Sequence, residues 1–167
     1  METAIPMLQP VVALVMWSMV MWAWMYVTRV PATLAMKMKL DPELPNGQQM
    51  STLPARVRWK ADNYNHLMEQ PTIFYAAALA LALLGDASAL SVGLAWAYVG
   101  IRVVHSLFQA LVNKIEVRFA IFVLGSLVLL ALVPAVGLML LAALAIRRVL
   151  RPLRDLAVAA RRARPGR

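Results

Sequence analysis

An arginine and a histidine lie three residues apart inside a segment that is apolar enough to enter a membrane. Arg102 and His105 fall within VGIRVVHSLFQALVNKIEVRFAIF, and Arg118 stands at the start of the next apolar run. A guanidinium that faces lipid costs roughly 3 kcal/mol on insertion scales and more in simulations. These side chains must therefore face protein or a wet cavity, where a cation can hold an anionic ligand at the membrane edge.

The polar residues of this segment share one face of a helix. At about 100° per residue, six of them fall within about 100° of one another, and the rest of the helix is apolar. They are Arg102, His105, Ser106, Gln109, Asn113 and Glu116. We expect this polar stripe to face inward, where two interpretations stay open. It can hold membrane helices together by polar contacts, or it can line a pocket for a polar, anionic ligand.

The second apolar run supplies partners for the stripe, because it is preceded by ADNYNHLMEQP. Glu69 lies sixteen residues before Gly85, and Arg102 lies sixteen residues after Asp86. On antiparallel helices joined by a tight turn, these two side chains should lie at similar depth, so we predict a Glu69–Arg102 ion pair. Under the pocket interpretation, the ligand is bound by Asn65, Arg102, His105, Gln109 and Arg118.

Other kinds of site find little support. The chain has no cysteine, so it offers no thiolate nucleophile or thiolate metal ligand of its own. His66 and His105 lack a third ligand at zinc spacing, and we predict no metal site. The net charge of +9 owes much to eight arginines between Arg147 and Arg167. Positive charge beside membrane spans ordinarily sets topology and contacts lipid headgroups, so we do not expect nucleic-acid binding.

Composition indicates an integral membrane protein. The chain is 62% hydrophobic with a mean hydropathy of +0.68, and four runs can cross roughly 30 Å of hydrocarbon, which takes about 20 helical residues. We predict an all-α, four-transmembrane-helix bundle over residues 1–150, with spans near 8–29, 64–85, 87–112 and 118–146. An Arg-rich tail, residues 151–167, should be interfacial or disordered.

The connections between the spans differ in length. GDAS and NKIEVR are short, so the second, third and fourth spans should be antiparallel neighbours. Residues 29–60 form a long polar loop, the only one large enough to cover a site. Its basic residues favour a cytoplasmic position, but four spans then place the eight arginines of the tail outside. The orientation therefore stays open.

Two stretches resemble the membrane-associated proteins in eicosanoid and glutathione metabolism, the MAPEG family. Its members include microsomal glutathione transferases, microsomal prostaglandin E synthase and leukotriene synthases that use glutathione. The stretches are NHLMEQPTIF and IRVVHSLFQALVNKIEVR, and the resemblance covers about residues 25–132. In the first stretch Glu69 and Phe74 keep the family spacing, whereas Pro71 lies earlier than usual and Asn65 is displaced by one residue.

The second stretch resembles the family at three positions and departs from it at one. Arg102 and His105 match the Arg–x–x–His pattern of the third span, and Arg118 matches an arginine at the start of the fourth. Gln109 stands where the family commonly has tyrosine. The resemblance implies that Arg118 stabilises a glutathione thiolate and that Asn65 and Glu69, together with the third-span residues, bind glutathione. From the residues alone, Arg118 can also be an anchor that fixes the depth of the fourth helix.

The resemblance implies a homotrimer of four-helix protomers that binds glutathione, as co-substrate, between protomers near the cytoplasmic edge. The expected activity is that of a glutathione-dependent transferase or peroxidase acting on hydrophobic electrophiles or lipid peroxides. The expected partners are therefore the lipid bilayer, glutathione and a hydrophobic small molecule. The alternative is a non-enzymatic relative that binds a lipid in the groove between subunits, which Gln109 keeps open.

Overall fold

The apolar runs of the sequence fold into helices, and a computed structural model describes residues 5–45 and 47–162, with side chains through residue 151. In chain order the helices are α1 (Ile5–Ala35), α2 (Ala55–Leu67), α3 (Pro71–Leu84), α4 (Ala89–Leu111) and α5 (Ile115–Arg162). A short 3-10 helix, Met50–Thr52, precedes α2. All regular secondary structure in these ranges is helical, which confirms the all-α prediction.

Proline divides the second span into two helices. α2 ends at Leu67, and α3 begins with Pro71 as its first helical residue. Because proline has no N–H group and a fixed φ, it suits the first position of a helix, whereas inside a helix it removes one backbone hydrogen bond. The three residues between α2 and α3 therefore change the direction in which the side chains on either side of the break point.

A capped turn joins α3 to α4. Gly85 ends α3 with a φ of 79°, which glycine adopts without the steric cost that a Cβ imposes. Asp86 accepts hydrogen bonds from the Ser88 N–H at 2.9 Å and the Ser91 hydroxyl at 2.6 Å. Burial raises the pKa of the Asp86 carboxyl, but these hydrogen bonds outweigh it, and the net pKa lies below its usual value.

The helices pack as a bundle in which α4 contacts α1, α2 and α5, while α3 contacts α1 and α5. The core contains Met7, Leu14, Met21, Phe74 and Leu132, each fully buried. The outer surface is apolar, with Leu83 at 89% and Leu130 at 66% exposure. Four helical segments are long and apolar enough to cross a membrane, Ile5–Ala35, Ala55–Leu84, Ala89–Leu111 and Ile115–Arg151. The protein is thus an integral, multi-pass membrane protein.

The helices extend further than the sequence predicted. The loop between the first two spans shortens to residues 36–54, instead of 29–60, because α1 continues to Ala35 and α2 begins at Ala55. α5 has 48 residues, or about 72 Å at about 1.5 Å per residue. The backbone of the predicted tail is therefore helical as far as Arg162, while residues 163–167 lie outside the part that the structure describes. The interfacial position of the tail stays a prediction.

Candidate functional site

A cavity of about 220 Å³ opens where α2, α4 and α5 meet, at the end of the bundle that carries the turn between α4 and α5. Its wall contains one guanidinium, two imidazoles and three apolar side chains. They belong to His66, His105, Ile115, Arg118, Phe119 and Phe122. The wall contains no described residue of the loop 36–54, which is the loop that the sequence indicated as large enough to cover a site.

The turn between α4 and α5 positions Arg118. Asn113 adopts a left-handed backbone with a φ of 52°, a conformation that asparagine tolerates better than most residues. Its side-chain oxygen accepts a hydrogen bond from Arg118 Nη1 at 2.8 Å. One asparagine therefore shapes the turn and also holds the guanidinium at the cavity wall.

Three rings from three helices form the inner wall of the cavity. The ring centroids of His66 and His105 lie 5.7 Å apart, and the Phe122 centroid lies 5.9 Å from His66 and 6.3 Å from His105. His105 is 2% exposed, whereas His66 is partly exposed. The wall is thus a packed cluster of rings, in which the two imidazoles can also donate or accept hydrogen bonds.

Arg102 lies behind this wall. Its side chain is 2% exposed, and its Nε donates to the Tyr98 hydroxyl at 2.9 Å. Its Nη2 donates to Gln70 Oε1. The guanidinium carbon lies 5.4 Å from the centre of the Phe122 ring, within the range of a cation–π contact. Phe122 therefore packs near Arg102 and also lines the cavity.

Gln70 is the centre of a hydrogen-bond network that links α4 and α5 to the break between α2 and α3. Its Oε1 accepts from Arg102 and, at 3.4 Å, from the Tyr98 hydroxyl. Its Nε2 donates to Ser126 Oγ at 2.7 Å, and the Ser126 hydroxyl donates to the Phe122 carbonyl at 2.8 Å. Both the oxygen and the nitrogen of this carboxamide are therefore engaged.

The predicted Glu69–Arg102 ion pair is wrong. Glu69 Oε2 lies 3.6 Å from His66 Nδ1, and the Glu69 side chain is 64% exposed. Within residues 5–45 and 47–151, no carboxylate oxygen lies within 4.0 Å of an Arg102 nitrogen. Counting residues from the Gly85 turn gave a partner for Arg102 that is one residue from the true one. The break before Pro71 directs Gln70 inward and Glu69 outward.

The polar stripe of the third span faces inward over most of its length. Arg102, His105, Ser106 and Gln109 are each at most 2% exposed, which confirms the expected direction for these four residues. Asn113 and Glu116 do not belong to the stripe, because α4 ends at Leu111. Asn113 forms the turn, and Glu116 lies exposed on α5. The helical wheel was extended past the true end of the helix.

The cavity brings together only some of the predicted site residues. His105 and Arg118 line it, and Arg102 packs beside its Phe122 wall. Asn65 and Glu69 are exposed outside the wall, and Gln109 is buried outside it, with an Oε1 that has no hydrogen-bond partner in the described part of the chain.

Sequence reasoning missed the contacts of four residues at this site, Gln70, Tyr98, Phe122 and Ser126. One signal was present, because Tyr98 precedes Arg102 by four residues and side chains at this spacing meet on a helix. The sequence offered no comparable signal for Gln70, whose inward direction depends on the break before Pro71. Asn63 was also passed over in favour of Asn65. It is fully buried, and its amide atoms have no hydrogen-bond partner among the described residues.

Comparison with known proteins identifies the family of this chain. A family model described as MAPEG family matches residues 7–138, which is well over half of the chain. The match includes every residue of the cavity wall and of the Gln70 network. No curated protein and no solved structure matches the chain. On the evidence of its four spanning helices and this match, the chain belongs to the MAPEG family.

Proposed function

We propose that the protein is a membrane-bound, glutathione-dependent transferase or peroxidase that acts on hydrophobic electrophiles or lipid peroxides. The observation that carries this proposal is the position of Arg118, whose guanidinium lines the same cavity as Phe119 and Phe122. A cation beside an apolar wall suits an anionic sulfur next to a hydrophobic substrate. Membership of a family that is broadly linked to glutathione adds to this support.

Arg118 would act by stabilising the glutathione thiolate. An opposite charge within about 4–6 Å lowers a pKa by about 1–3 units, so the thiol of bound glutathione would ionise near neutral pH. The chain has no cysteine, and the ligand would therefore supply the nucleophilic sulfur. Asn113 would keep the guanidinium in place through its 2.8 Å hydrogen bond.

The chemistry needs only glutathione and the apolar substrate. In a transfer reaction, the thiolate attacks an electrophilic carbon, a C–S bond forms, and the leaving group departs with the electron pair. In a peroxidase reaction, the thiolate attacks the terminal peroxide oxygen, and an S–O bond forms as the O–O bond breaks. The lipid alkoxide takes up the proton that the thiol released and leaves as an alcohol. The thiol of a second glutathione then attacks the oxidised sulfur, which forms a disulfide and releases water.

A second protomer would complete the binding site. The cavity of about 220 Å³ is smaller than the roughly 300–1,000 Å³ that is usual for small-molecule pockets. Asn65 and Glu69 are exposed on the segment that contains His66, where a neighbouring copy can lie against them. We therefore propose a homotrimer in which these two residues bind glutathione across the protomer boundary. Light scattering on the detergent-solubilised protein, corrected for bound detergent, measures the number of copies.

Thiolate absorbance in the ultraviolet tests the role of Arg118. Adding glutathione to the wild-type protein should give thiolate absorbance, and Arg118→Ala should remove most of it while the protein still assembles. Arg118→Lys should also lose most of it, because the planar guanidinium with its several donors is not replaced by an ammonium. Lys114→Ala is the matched control, since Lys114 is an exposed cation of the same turn. An Arg118→Ala protein that assembles and still ionises glutathione would reduce Arg118 to a membrane anchor.

A second candidate function is binding of a lipid without catalysis. Gln109 favours it, because this residue replaces a tyrosine that is common in the family and is buried outside the cavity wall. Under this alternative, glutathione neither binds nor ionises, and the apolar wall holds a lipid instead. The same absorbance measurement on the wild-type protein separates the two functions.

A further inference from the structure

Arg102 is a buried cation for which the described part of the chain provides no carboxylate. Its side chain is 2% exposed, and its hydrogen-bond acceptors are the neutral oxygens of Tyr98 and Gln70. A buried charge without a counter-ion is costly, because no opposite charge replaces the hydration that it loses on burial. The bundle thus keeps an unneutralised positive charge close to the cavity, behind the ring of Phe122.

Gln70 fixes the position of this charge. Its carboxamide oxygen accepts from Arg102 and Tyr98 on α4, while its nitrogen donates to Ser126 on α5 at 2.7 Å. These contacts tie the guanidinium to two helices. Glu69, which directly precedes Gln70, has its carboxylate turned outward and 64% exposed. At this break in the second span, the neutral amide faces Arg102 and the charged carboxylate does not.

We infer that Gln70 is a positioning residue that holds Arg102 with neutral atoms and so leaves its positive charge to attract the anionic ligand of the cavity. A glutamate at position 70 would hold the guanidinium in nearly the same geometry but neutralise it. The choice of amide over carboxylate at this position therefore tunes the charge of the cavity. This inference rests on the proposed function, in which that ligand is glutathione.

Substituting Gln70 by glutamate and by methionine tests the inference, because the two changes should shift the unfolding temperature in opposite directions. Gln70→Glu supplies a carboxylate to Arg102, so the ligand-free protein should unfold at a higher temperature. The same change should weaken glutathione binding about tenfold, the scale of one unit charge acting over about 10 Å at an effective dielectric constant of about 20. Gln70→Met removes the polar contacts but keeps the charge of Arg102. It should lower the unfolding temperature and weaken glutathione binding by less than Gln70→Glu does.

Two control variants isolate the charge effect. Glu69→Gln replaces a carboxylate by an amide at the neighbouring, exposed position. It should not raise the unfolding temperature. Ser126→Ala removes the hydrogen bond from Gln70 Nε2, which Gln70→Glu also loses, without changing any charge. It should leave glutathione affinity within about threefold of wild type.

The experiments use full-length protein in lipid nanodiscs, with calorimetric titration of glutathione and of glutathione sulfonate, and thermal unfolding without ligand. The inference is overturned if Gln70→Glu binds both probes as tightly as wild type, or if it fails to assemble or unfolds at a lower temperature than wild type. If wild-type protein binds neither probe, the proposed function fails. The inference is then tested by stability alone. Gln70→Glu should stabilise the wild-type chain, and it should destabilise an Arg102→Met chain, in which the new carboxylate has no cation.

Discussion

His66 and His105 come from different helices, and their rings lie against each other with centroids 5.7 Å apart and planes inclined by 50°. Phe122 adds a third ring from α5. The contact among α2, α4 and α5 at the cavity is therefore made by ring packing. A ring of similar size but without nitrogen atoms can preserve this packing, whereas it cannot hydrogen-bond a ligand.

We predict that His105→Phe separates the structural and ligand-binding roles of this residue. The unfolding temperature should change by only a few degrees, because the ring packing is kept. Glutathione binding should weaken by several-fold to tenfold, since a typical hydrogen bond contributes about 0.5–1.5 kcal/mol. Titration calorimetry and thermal unfolding of the same preparation measure both effects. Unchanged binding would show that His105 serves packing alone.

The turn before α5 allows backbone and side-chain effects to be separated at Asn113. Asn113→Gly keeps the left-handed backbone but removes the oxygen that accepts from Arg118. Thiolate absorbance with bound glutathione should fall several-fold, with little loss of stability. Asn113→Ala removes the same oxygen and adds strain of about 1–2 kcal/mol. If the two variants lose equal stability, the left-handed conformation is not what favours asparagine at this turn.

Gly125 lies where α5 packs closely against Ile101 of α4. A Cβ added there would lie 3.3 Å from Ile101 Cγ2, whereas a Cβ added at Gly137 of the same helix meets nothing within 4 Å. Gly125→Leu should therefore destabilise the protein by about 1–3 kcal/mol through overpacking, and Gly137→Leu should not. Chemical unfolding in mixed micelles compares them. Equal stability of the two variants would mean that α5 shifts freely against α4.

Acid should remove the stabilisation that Asp86 provides. Its pKa is lower in the folded protein than its usual value of about 3.9. The stabilisation is therefore complete above about pH 4 and is lost as the pH falls through the lower, folded value. At pH 7, Asp86→Asn should cost about 1–2 kcal/mol, because hydrogen bonds to a charged group are lost. The difference from wild type should shrink as the pH falls through the folded pKa of Asp86.

A series of unfolding measurements from pH 7 down through the folded pKa of Asp86 checks this prediction. Ser91→Ala is the control that removes one hydroxyl donor to Asp86 at 2.6 Å while keeping the carboxylate. It should reduce the stability at pH 7 by less than Asp86→Asn does. A stability difference for Asp86→Asn that stays constant over the whole pH range would contradict the role of the charge.

Sequence patterns predicted the membrane class, the four spans and the inward direction of Arg102, His105, Ser106 and Gln109. These features follow from hydrophobicity and helical periodicity, which act over many residues and tolerate local irregularity. The position of Arg118 near the start of α5 also followed, because it directly precedes an apolar run, while its place at the membrane edge stays a prediction.

The partner of Arg102 was not predictable in the same way. Counting residues from the Gly85 turn gave the correct depth, but each residue of a helix turns the side-chain direction by about 100°. An irregular stretch of three residues between Leu67 and Pro71 therefore decides whether position 69 or position 70 faces inward. The sequence signals the break through Pro71 but does not give its dihedral angles. Asn65 was chosen over the buried Asn63 for a different reason, the resemblance of NHLMEQPTIF to the family pattern.

Because α5 is long and crosses α4 near one end, a tilt of this helix would move its two ends by different distances. Gly125 is a natural pivot point, because a Cβ added there would lie only 3.3 Å from Ile101 on α4. At about 1.5 Å per residue, Arg118 lies about 10 Å from it on one arm, and Arg162 lies about 55 Å from it on the other. If α5 tilts as one body, the far end moves about five times as far as the guanidinium in the cavity. An event that displaces Arg118 by an ångström is thereby magnified at the opposite end of the helix into a movement comparable to a helical turn.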